Sequence, residues 1–234
     1  MGNGRALRQG IVKVPAGGPE GKSAALTGSA LILGGGHGAR IGYDKKKLEL
    51  GGASVLESLA VRLKTLFGEV LLSSNDPVEI HGVTVLPDRL GEGPLAGIYQ
   101  GLLYCTSEYL YVLACDMPFI NAAYIDYMRE LIAREKMDVC IARHGDGKLE
   151  FFNSFYKKNC AAVMEEALSK GLYKLRLIFS QLNVYTIDGE TIEKFDPGKM
   201  FFNINYKEDL ELAEQKGRLK ISLDMGTMGN HGRH

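Results

Sequence analysis

The sequence predicts an α/β fold, a three-layer, doubly wound, mostly parallel sheet, and three observations carry that expectation. Short apolar runs alternate with stretches of helical periodicity from Ser29 to Lys216, the pattern of a parallel sheet covered on both faces. Tyr109 to Ala114 (YLYVLA) is almost continuously apolar, as suits a strand buried on both sides. The length, 234 residues, supplies one such domain with a real core and is short for two.

Taken in order, residues 1–28 are rich in Gly, Lys and Pro, and only Ile11 to Val14 resembles a strand. They read as a loosely ordered N-terminal extension to a domain spanning residues 29–216. Ser29 to Leu33 is a short buried strand. Ser54-Val55-Leu56-Glu57 is a capping box, with Leu56, Leu59, Ala60, Leu63 and Phe67 repeating at helical spacing behind it. Glu69 to Ser74 and Val83 to Leu86 read as strands ending at Asn75-Asp76-Pro77 and Pro87-Asp88. A loop, Gly91 to Gly97, feeds a helix to about Leu103. The central apolar strand then delivers Cys115-Asp116-Met117-Pro118.

Asn121 caps a helix whose Ile125, Met128 and Ile132 share a face. Asp138 to Ala142 and Phe151 to Tyr156 are strands around the turn Gly145-Asp146-Gly147. Two helices follow, marked by Cys160, Val163, Met164, Ala167 and Leu168 and by Leu175, Ile178, Phe179 and Leu182. Asn183 to Ile187 is a strand, Phe201 to Asn205 an extended piece, and Glu208 to Lys216 a last helix. Residues 217–234 read as a C-terminal tail, and no internal repeat is present.

Lys+Arg and Asp+Glu both number 28, so the formal net charge is zero. That balance gives no support to a nucleic-acid or membrane-surface role, and any anion site must be built from locally placed cations. Cys105, Cys115, Cys140 and Cys160 have no paired spacing. They read as reduced, buried thiols of a cytoplasmic protein rather than a disulfide frame or zinc site. No apolar run approaches the ~20 residues of a membrane span, and the start has no signal-peptide core.

The stretch with the most chemistry follows the first long strand: Gly34, Gly35, Gly36 and Gly38, then Arg40, Gly42, Asp44 and Lys45 to Lys47. Glycines let backbone N–H groups approach a ligand closely, and the cations beyond them suit a polyphosphate. The dinucleotide fingerprint does not fit, because no convincing helix begins at Gly42. A relaxed P-loop at Ala16 to Ser23 is a decoy, since too few residues separate it from the next strand for its helix. In a doubly wound sheet, ligands bind beyond the carboxyl ends of the strands near a topological switch point. The glycine loop, Asn75, Asp88 and Asp116 all fall at such ends, so they line one phosphate- or nucleotide-binding crevice. Asp116, a carboxylate closing a buried strand, is placed to hold Mg²⁺. On pattern alone Asp88 and Asn75 read equally well as turn residues, and His37 is assigned no role.

These residues resemble the molybdenum cofactor guanylyltransferases (MobA), within the nucleotidyltransferases of Rossmann-like, glycosyltransferase-A-like fold. The family's opening motif A-G-G-x-S-x-R-M-G-x-D-K stands here as Gly34 to Lys45. Its G-P-L-A-G is intact at Gly93 to Gly97, its C-D-M-P at Cys115 to Pro118, and its late N-x-N is Asn203-Ile204-Asn205. The motifs occur in family order over roughly residues 29–216. Gly38, Ile41 and Lys46 depart from the usual Ser, Met and Ala or Gly. The region Lys148 to Phe151 lacks a proline often found there.

The resemblance implies transfer of GMP from GTP to the molybdenum-molybdopterin cofactor, with release of pyrophosphate. The implied nucleotide contacts are Leu33, Gly34, Gly35, Gly36, Lys45, Asn75, Asp88 and Asp116, with Arg40 and Lys45 clamping the triphosphate. Asp116 holds the Mg²⁺ cofactor, and Asn203 and Asn205 assist at the metal or second substrate. Molybdenum-cofactor insertion proteins or molybdoenzymes are the implied protein partners, in the cytoplasm. A cytidylyltransferase of the same cofactor, a sugar-phosphate nucleotidyltransferase, or a non-catalytic nucleotide-binding regulator are the competing readings.

Overall fold

The computed structural model describes residues 8–9, 28–34, 48–75, 78–87, 93–206 and 208–217. Its first half contains strands β1 (Arg8–Gln9), β2 (Ser29–Leu33), β3 (Glu49–Leu50) and β4 (Ala53–Ser54), helix α1 (Val55–Lys64), strands β5 (Glu69–Ser73) and β6 (Thr84–Leu86), helix α2 (Pro94–Tyr104) and strand β7 (Tyr109–Ala114). Then come helix α3 (Ala122–Arg134), strands β8 (Val139–Arg143) and β9 (Leu149–Lys157), helix α4 (Cys160–Ser169), a 3₁₀ helix (Leu175–Gln181) and strand β10 (Val184–Ile187). Helix α5 (Gly189–Ile192), a 3₁₀ turn (Glu193–Phe195), helix α6 (Pro197–Met200) and helix α7 (208–217) complete the described chain.

Eight strands form one sheet in the order β1-β10-β8-β9-β7-β2-β5-β6. All neighbours pair parallel except β9, which runs antiparallel between β7 and β8. β2 alternates cleanly between the two covered faces. Ala30 and Ile32 pack with α1, α3 and the 195–204 segment, while Leu31 and Leu33 pack with α2, α4 and the 3₁₀ helix. The layers are therefore helix, sheet, helix, as the alternation of runs predicts. The subset β6-β5-β2-β7 has the order of a mononucleotide-binding half, and the chain reverses direction across the sheet between β2 and β7.

Local chemistry explains the helix starts. Ser54 Oγ accepts the Glu57 N–H (3.3 Å) at the head of α1, and Asn121 Oδ1 accepts the Tyr124 N–H (3.0 Å) at the head of α3. α2 has no side-chain cap. It begins with Gly93 at φ +100 and Pro94 in the first turn, a fixed φ placed where no intrahelical N–H is needed. Gly145 to Gly147 turn β8 back into β9, with the Gly147 N–H on His144 O and the Lys148 N–H on Asp146 Oδ1.

Some elements differ from the sequence expectation. Arg8 and Gln9 pair with Tyr185 and Thr186 at the far edge of the sheet, where they cover a β10 that would otherwise be an open edge. Ile11 to Val14 lie outside the described residues. The Leu175 segment is 3₁₀ rather than α, since Leu175 and Ile178 bury one face at a spacing both helix types provide. The β3–β4 ribbon and the short helices of residues 189–200 were not expected. Asp138 and Asn183 flank their strands rather than begin them.

α2 lies unusually close to the sheet. A Cβ on Gly101 would sit 2.6 Å from Leu31 Cδ2 and 2.8 Å from Leu110 Cδ2, and both leucines are fully buried. Overpacking costs about 1–3 kcal/mol, against about 1 kcal/mol returned by helix propensity. Gly101→Ala therefore lowers the urea midpoint; a midpoint unchanged or raised would show that the leucines relax without cost.

Candidate active site

In-register pairing makes the carboxyl ends of four strands flush. Leu33 pairs with Ser73 on one side and Ala114 on the other, and Ser73 pairs with Leu86. The next residues of each strand, Gly34, Ser74-Asn75, Pro87 and Cys115-Asp116, thus form one row along the sheet edge. The row is stitched by main-chain bonds: Gly34 N–H to Ser73 O (2.9 Å), Ser74 N–H to Leu86 O (3.0 Å) and Cys115 N–H to Leu33 O (3.1 Å). The crossover between β2 and β7 places Gly34 beside Cys115-Asp116.

The predicted site residues fall as follows. Leu33 and Gly34 are buried at the end of β2, and Asn75 is exposed at the end of β5. The Gly34 N–H belongs to the ladder, donating to Ser73 O. Gly35, Gly36, Arg40, Lys45 and Asp88 lie outside the described residues, as does His37. Asp116 is 8% exposed, just beyond β7 in a turn closed by the Met117 N–H on Ala114 O (3.1 Å). Its neighbours Cys115 and Met117 are packed into the core, which fixes the backbone that presents the carboxylate.

The late asparagines converge on the same place. The Ile204 N–H donates to Asp116 O at 2.9 Å, so residues 203–205 run alongside the Asp116 turn. Ile204 is fully buried, while Asn203 is half-buried and Asn205 exposed. Asn203 Nδ2 donates to Phe201 O (2.9 Å), and Asp209 Oδ2 accepts the N–H groups of Asn205 (2.7 Å) and Tyr206 (2.8 Å). Alternation about Ile204 turns the two asparagines away from the core together.

The same edge carries groups that sequence reasoning did not single out. Glu150, 7% exposed at the start of β9, accepts from Lys148 Nζ (2.7 Å) and contacts His144 Nε2 at 2.9 Å. The His144 ring lies edge-on to Phe201, with centroids 5.3 Å apart. The Gly145 to Gly147 turn signal marked this hairpin, but nothing local marked its polar cluster as adjoining residues 200–205. The cysteines are all buried and free. Burial pushes the Cys160 thiol up to about 12 and Cys140 higher still, so neither serves as a nucleophile near neutrality.

Comparison with known proteins places this geometry in a family. The family model for the MobA-like NTP transferase domain matches residues 30–184. The chain belongs to that family. The molybdenum cofactor guanylyltransferase of Syntrophotalea carbinolica is 37% identical over 194 residues, covering 81% of this chain and 92% of that protein. Among solved structures, molybdopterin-guanine dinucleotide biosynthesis protein A of Archaeoglobus fulgidus aligns with TM-score 0.71 and 26% identity, over 81% of this chain and 98% of that one. The 2-C-methyl-D-erythritol 4-phosphate cytidylyltransferase of Thermus thermophilus shares the fold, with TM-score 0.61 at 19% identity, covering 82% and 100% of the two chains.

In this MobA-like domain the Gly-Pro-Leu-Ala-Gly motif acquires a physical reason. A Cβ on Gly97 would meet Leu33 Cδ2 at 2.6 Å and Ser73 Oγ at 3.1 Å, the last residues of the two strands that floor the crevice. Gly97→Ala pushes that floor and lowers nucleotide affinity on the order of ten-fold, a binding change of about 1.4 kcal/mol. Gly101→Ala, one turn further from the crevice, leaves affinity intact. Isothermal titration of both variants decides it: equal losses would refute the role given to Gly97.

Proposed function

We propose that this chain transfers GMP from GTP to the terminal phosphate of a molybdenum-molybdopterin cofactor, releasing pyrophosphate. The observation that carries the reading is the flush row that sets Gly34, Asn75 and Asp116 beside one another at the switch point of a MobA-like domain. The acceptor follows from the relative that is a molybdenum cofactor guanylyltransferase over nearly its whole length. The working unit is residues 29–216, with the triphosphate clamped by Arg40 and Lys45, cradled after Gly34 at Gly35 and Gly36, and the nucleoside side contacted by Asn75 and Asp88. The reaction belongs in the cytoplasm, and its product passes to molybdoenzymes or their insertion proteins. No helix among the described residues is long and apolar enough to cross a membrane.

A Mg²⁺ ion fits the donor chemistry. Among the described residues no three His, Cys, Asp or Glu side chains gather as a metal cage. A Mg²⁺ ion at a phosphate-transfer site takes one or two carboxylates and completes its shell with phosphate oxygens and water. Asp116 is the carboxylate that would hold it, with the 203–205 segment running alongside its turn through the Ile204 N–H on Asp116 O. When bound, the ion offsets phosphate charge as the two anionic substrates meet.

The chemistry asked of the side chains is then electrostatic. An acceptor phosphate oxygen attacks the α-phosphorus of GTP, a new P–O bond forms, and the bond to the bridging oxygen breaks as pyrophosphate leaves. A phosphate monoester has its second pKa near ~6 and is mostly ionised at neutrality. No general base is needed, and the task of Arg40, Lys45 and Asp116 is to hold like charges together in a fixed geometry.

Two measurements test this. In a thermal-shift panel with Mg²⁺, GTP raises Tm most, since a ligand at 100 times its Kd adds about 2.7 kcal/mol to stability. A larger shift with CTP or UTP would make the chain a cytidylyl- or uridylyltransferase instead. For the mechanism, Asp116→Asn slows guanylyl transfer on the order of 10²–10³-fold, the scale for removing one transition-state stabiliser. His37→Ala leaves the rate near that of the parent. The reverse pattern would require proton transfer through His37.

A further inference from the structure

Asn153 is the one residue of β9 with a left-handed backbone, φ +57, and its side chain is completely buried. Asn tolerates that conformation better than most residues, yet inside a strand it is a local strain held by its surroundings. The ladders around it show what the strain produces. On the β8 side pairing passes from Cys140↔Phe155 to Ala142↔Glu150, so two steps along β8 correspond to five along β9. On the β7 side pairing stops at Val112↔Ser154. β9 therefore bulges away from β7 over Phe151 to Asn153, beside the end of the strand that delivers Asp116. Bulges of this kind re-aim a side chain or terminate pairing.

The side chain so aimed bridges two elements. Asn153 Oδ1 accepts the Tyr111 hydroxyl of β7, and Nδ2 donates to Met200 O at 3.0 Å. A carbonyl can only accept, so the amide has one orientation. Tyr111 lies in the strand that leads directly to Asp116. Met200 leads through Phe201 to Asn203 and to Ile204, whose N–H returns to Asp116 O. These links close a ring: Asp116, β7, Tyr111, Asn153, Met200, Ile204 and back to Asp116. Asn203 sits on that ring, and Tyr111 is anchored from behind by stacking on Phe67 at 5.2 Å and tilted packing on Phe155 at 5.2 Å.

We propose that Asn153 is a positioning residue for the acceptor side of the reaction, setting the spacing between Asp116 and the Asn203-Asn205 segment. The inference rests on the proposed guanylyl transfer and on the acceptor meeting the Asn203-Asn205 side of the crevice. Of the proposed nucleotide contacts, Gly34 and Asn75, at the ends of β2 and β5, lie outside the ring, and Asp116 lies on it, held independently at the end of β7. Loosening the ring shifts the Asn203-Asn205 segment, while the ladders of β2, β5 and β7 keep Gly34, Asn75 and Asp116 in register, so acceptor placement suffers more than GTP binding.

The test uses the full chain, with GTP and the molybdenum-molybdopterin cofactor as substrates. Asn153→Asp keeps the size and the acceptor for Tyr111 but loses the donor to Met200. Asn153→Gly accepts the positive φ without strain but removes both bonds. Tyr111→Phe breaks the ring from the other side and serves if the Asn153 variants fold poorly. Gly101→Ala, on the opposite face of the sheet, controls for general destabilisation. In the ring variants KM for the acceptor rises about ten-fold, the effect of one lost buried hydrogen bond, while KM for GTP stays within about two-fold. Hydrogen exchange at the Ile204 amide, read without turnover, accelerates in them and not in Gly101→Ala. Unchanged acceptor KM or unchanged Ile204 exchange in variants of an active parent overturns the role of Asn153. A parent that transfers no GMP overturns the functional reading and this inference with it.

Discussion

The fold depends on one constraint, the parallel register of β2 with its two neighbours. Leu33 faces Ser73 and Ala114 in the same row, and because side chains alternate, a slip of one residue would exchange the two faces of β2. Ala30 and Ile32 would then face α2, and Leu31 and Leu33 would crowd α1 and α3. The cost of that exchange in a packed core fixes the register. The register in turn decides which residues emerge together at the sheet edge. The site is thus a by-product of core packing: no side chain in the crevice needs to specify where Gly34, Asn75 and Asp116 meet.

The two halves of the sheet meet that constraint differently. On the β6-β5-β2-β7 side, helix α2 is drawn down onto β2 through Gly97 and Gly101, and the contact is apolar and close. Beyond β7 the antiparallel β9 interrupts the pattern, and polar groups do more of the fixing. Asn121 Nδ2 donates to Phe195 O (2.6 Å), Asn153 Nδ2 to Met200 O (3.0 Å) and Lys216 Nζ to Gly198 O (2.9 Å). Segments with little regular structure have unpaired carbonyls to satisfy, and Phe195, Gly198 and Met200 satisfy theirs with side chains from three separate parts of the chain. Aromatic packing of Tyr124 on Phe195 and Phe201 fills the space between.

The legible parts of the chain were those whose signals are local. The apolar runs of β2 and β7, the caps Ser54 and Asn121, and the position of Asp116 after a buried strand could be read from neighbours in sequence. So could the meeting of Gly34, Asn75 and Asp116, once the strands were taken as parallel. What was hidden depends on distant partners. The turn Gly145 to Gly147 marks β8 and β9 as a hairpin, but nothing in Leu149 to Lys157 says that β9 inserts beside β7. Arg8-Gln9 is too short and too polar to carry a pattern; its pairing comes from the edge of β10. Asn153 has no sequence mark at all, because both its φ and its partners are set by strands and turns elsewhere. Glu150 is buried against His144 and Lys148, and no local pattern announces that burial.

The antiparallel β9 also has a consequence for how the chain reaches this state. β8 and β9 are joined by a tight turn, so their hairpin closes over a short loop, on the microsecond scale of such local events. β2, by contrast, must find β5 and β7 across long separations, Ser29 against Glu69 and Leu110, and such pairings are slow. Until the hairpin docks through Tyr109↔Lys157 to Val112↔Ser154, the apolar β7 presents a bare edge that another copy could extend. A hairpin that closes early would thus act as a guard during biogenesis: it would let the almost continuously apolar β7 be capped intramolecularly, and it would make recovery from denaturant a race between that docking and encounter with a second molecule.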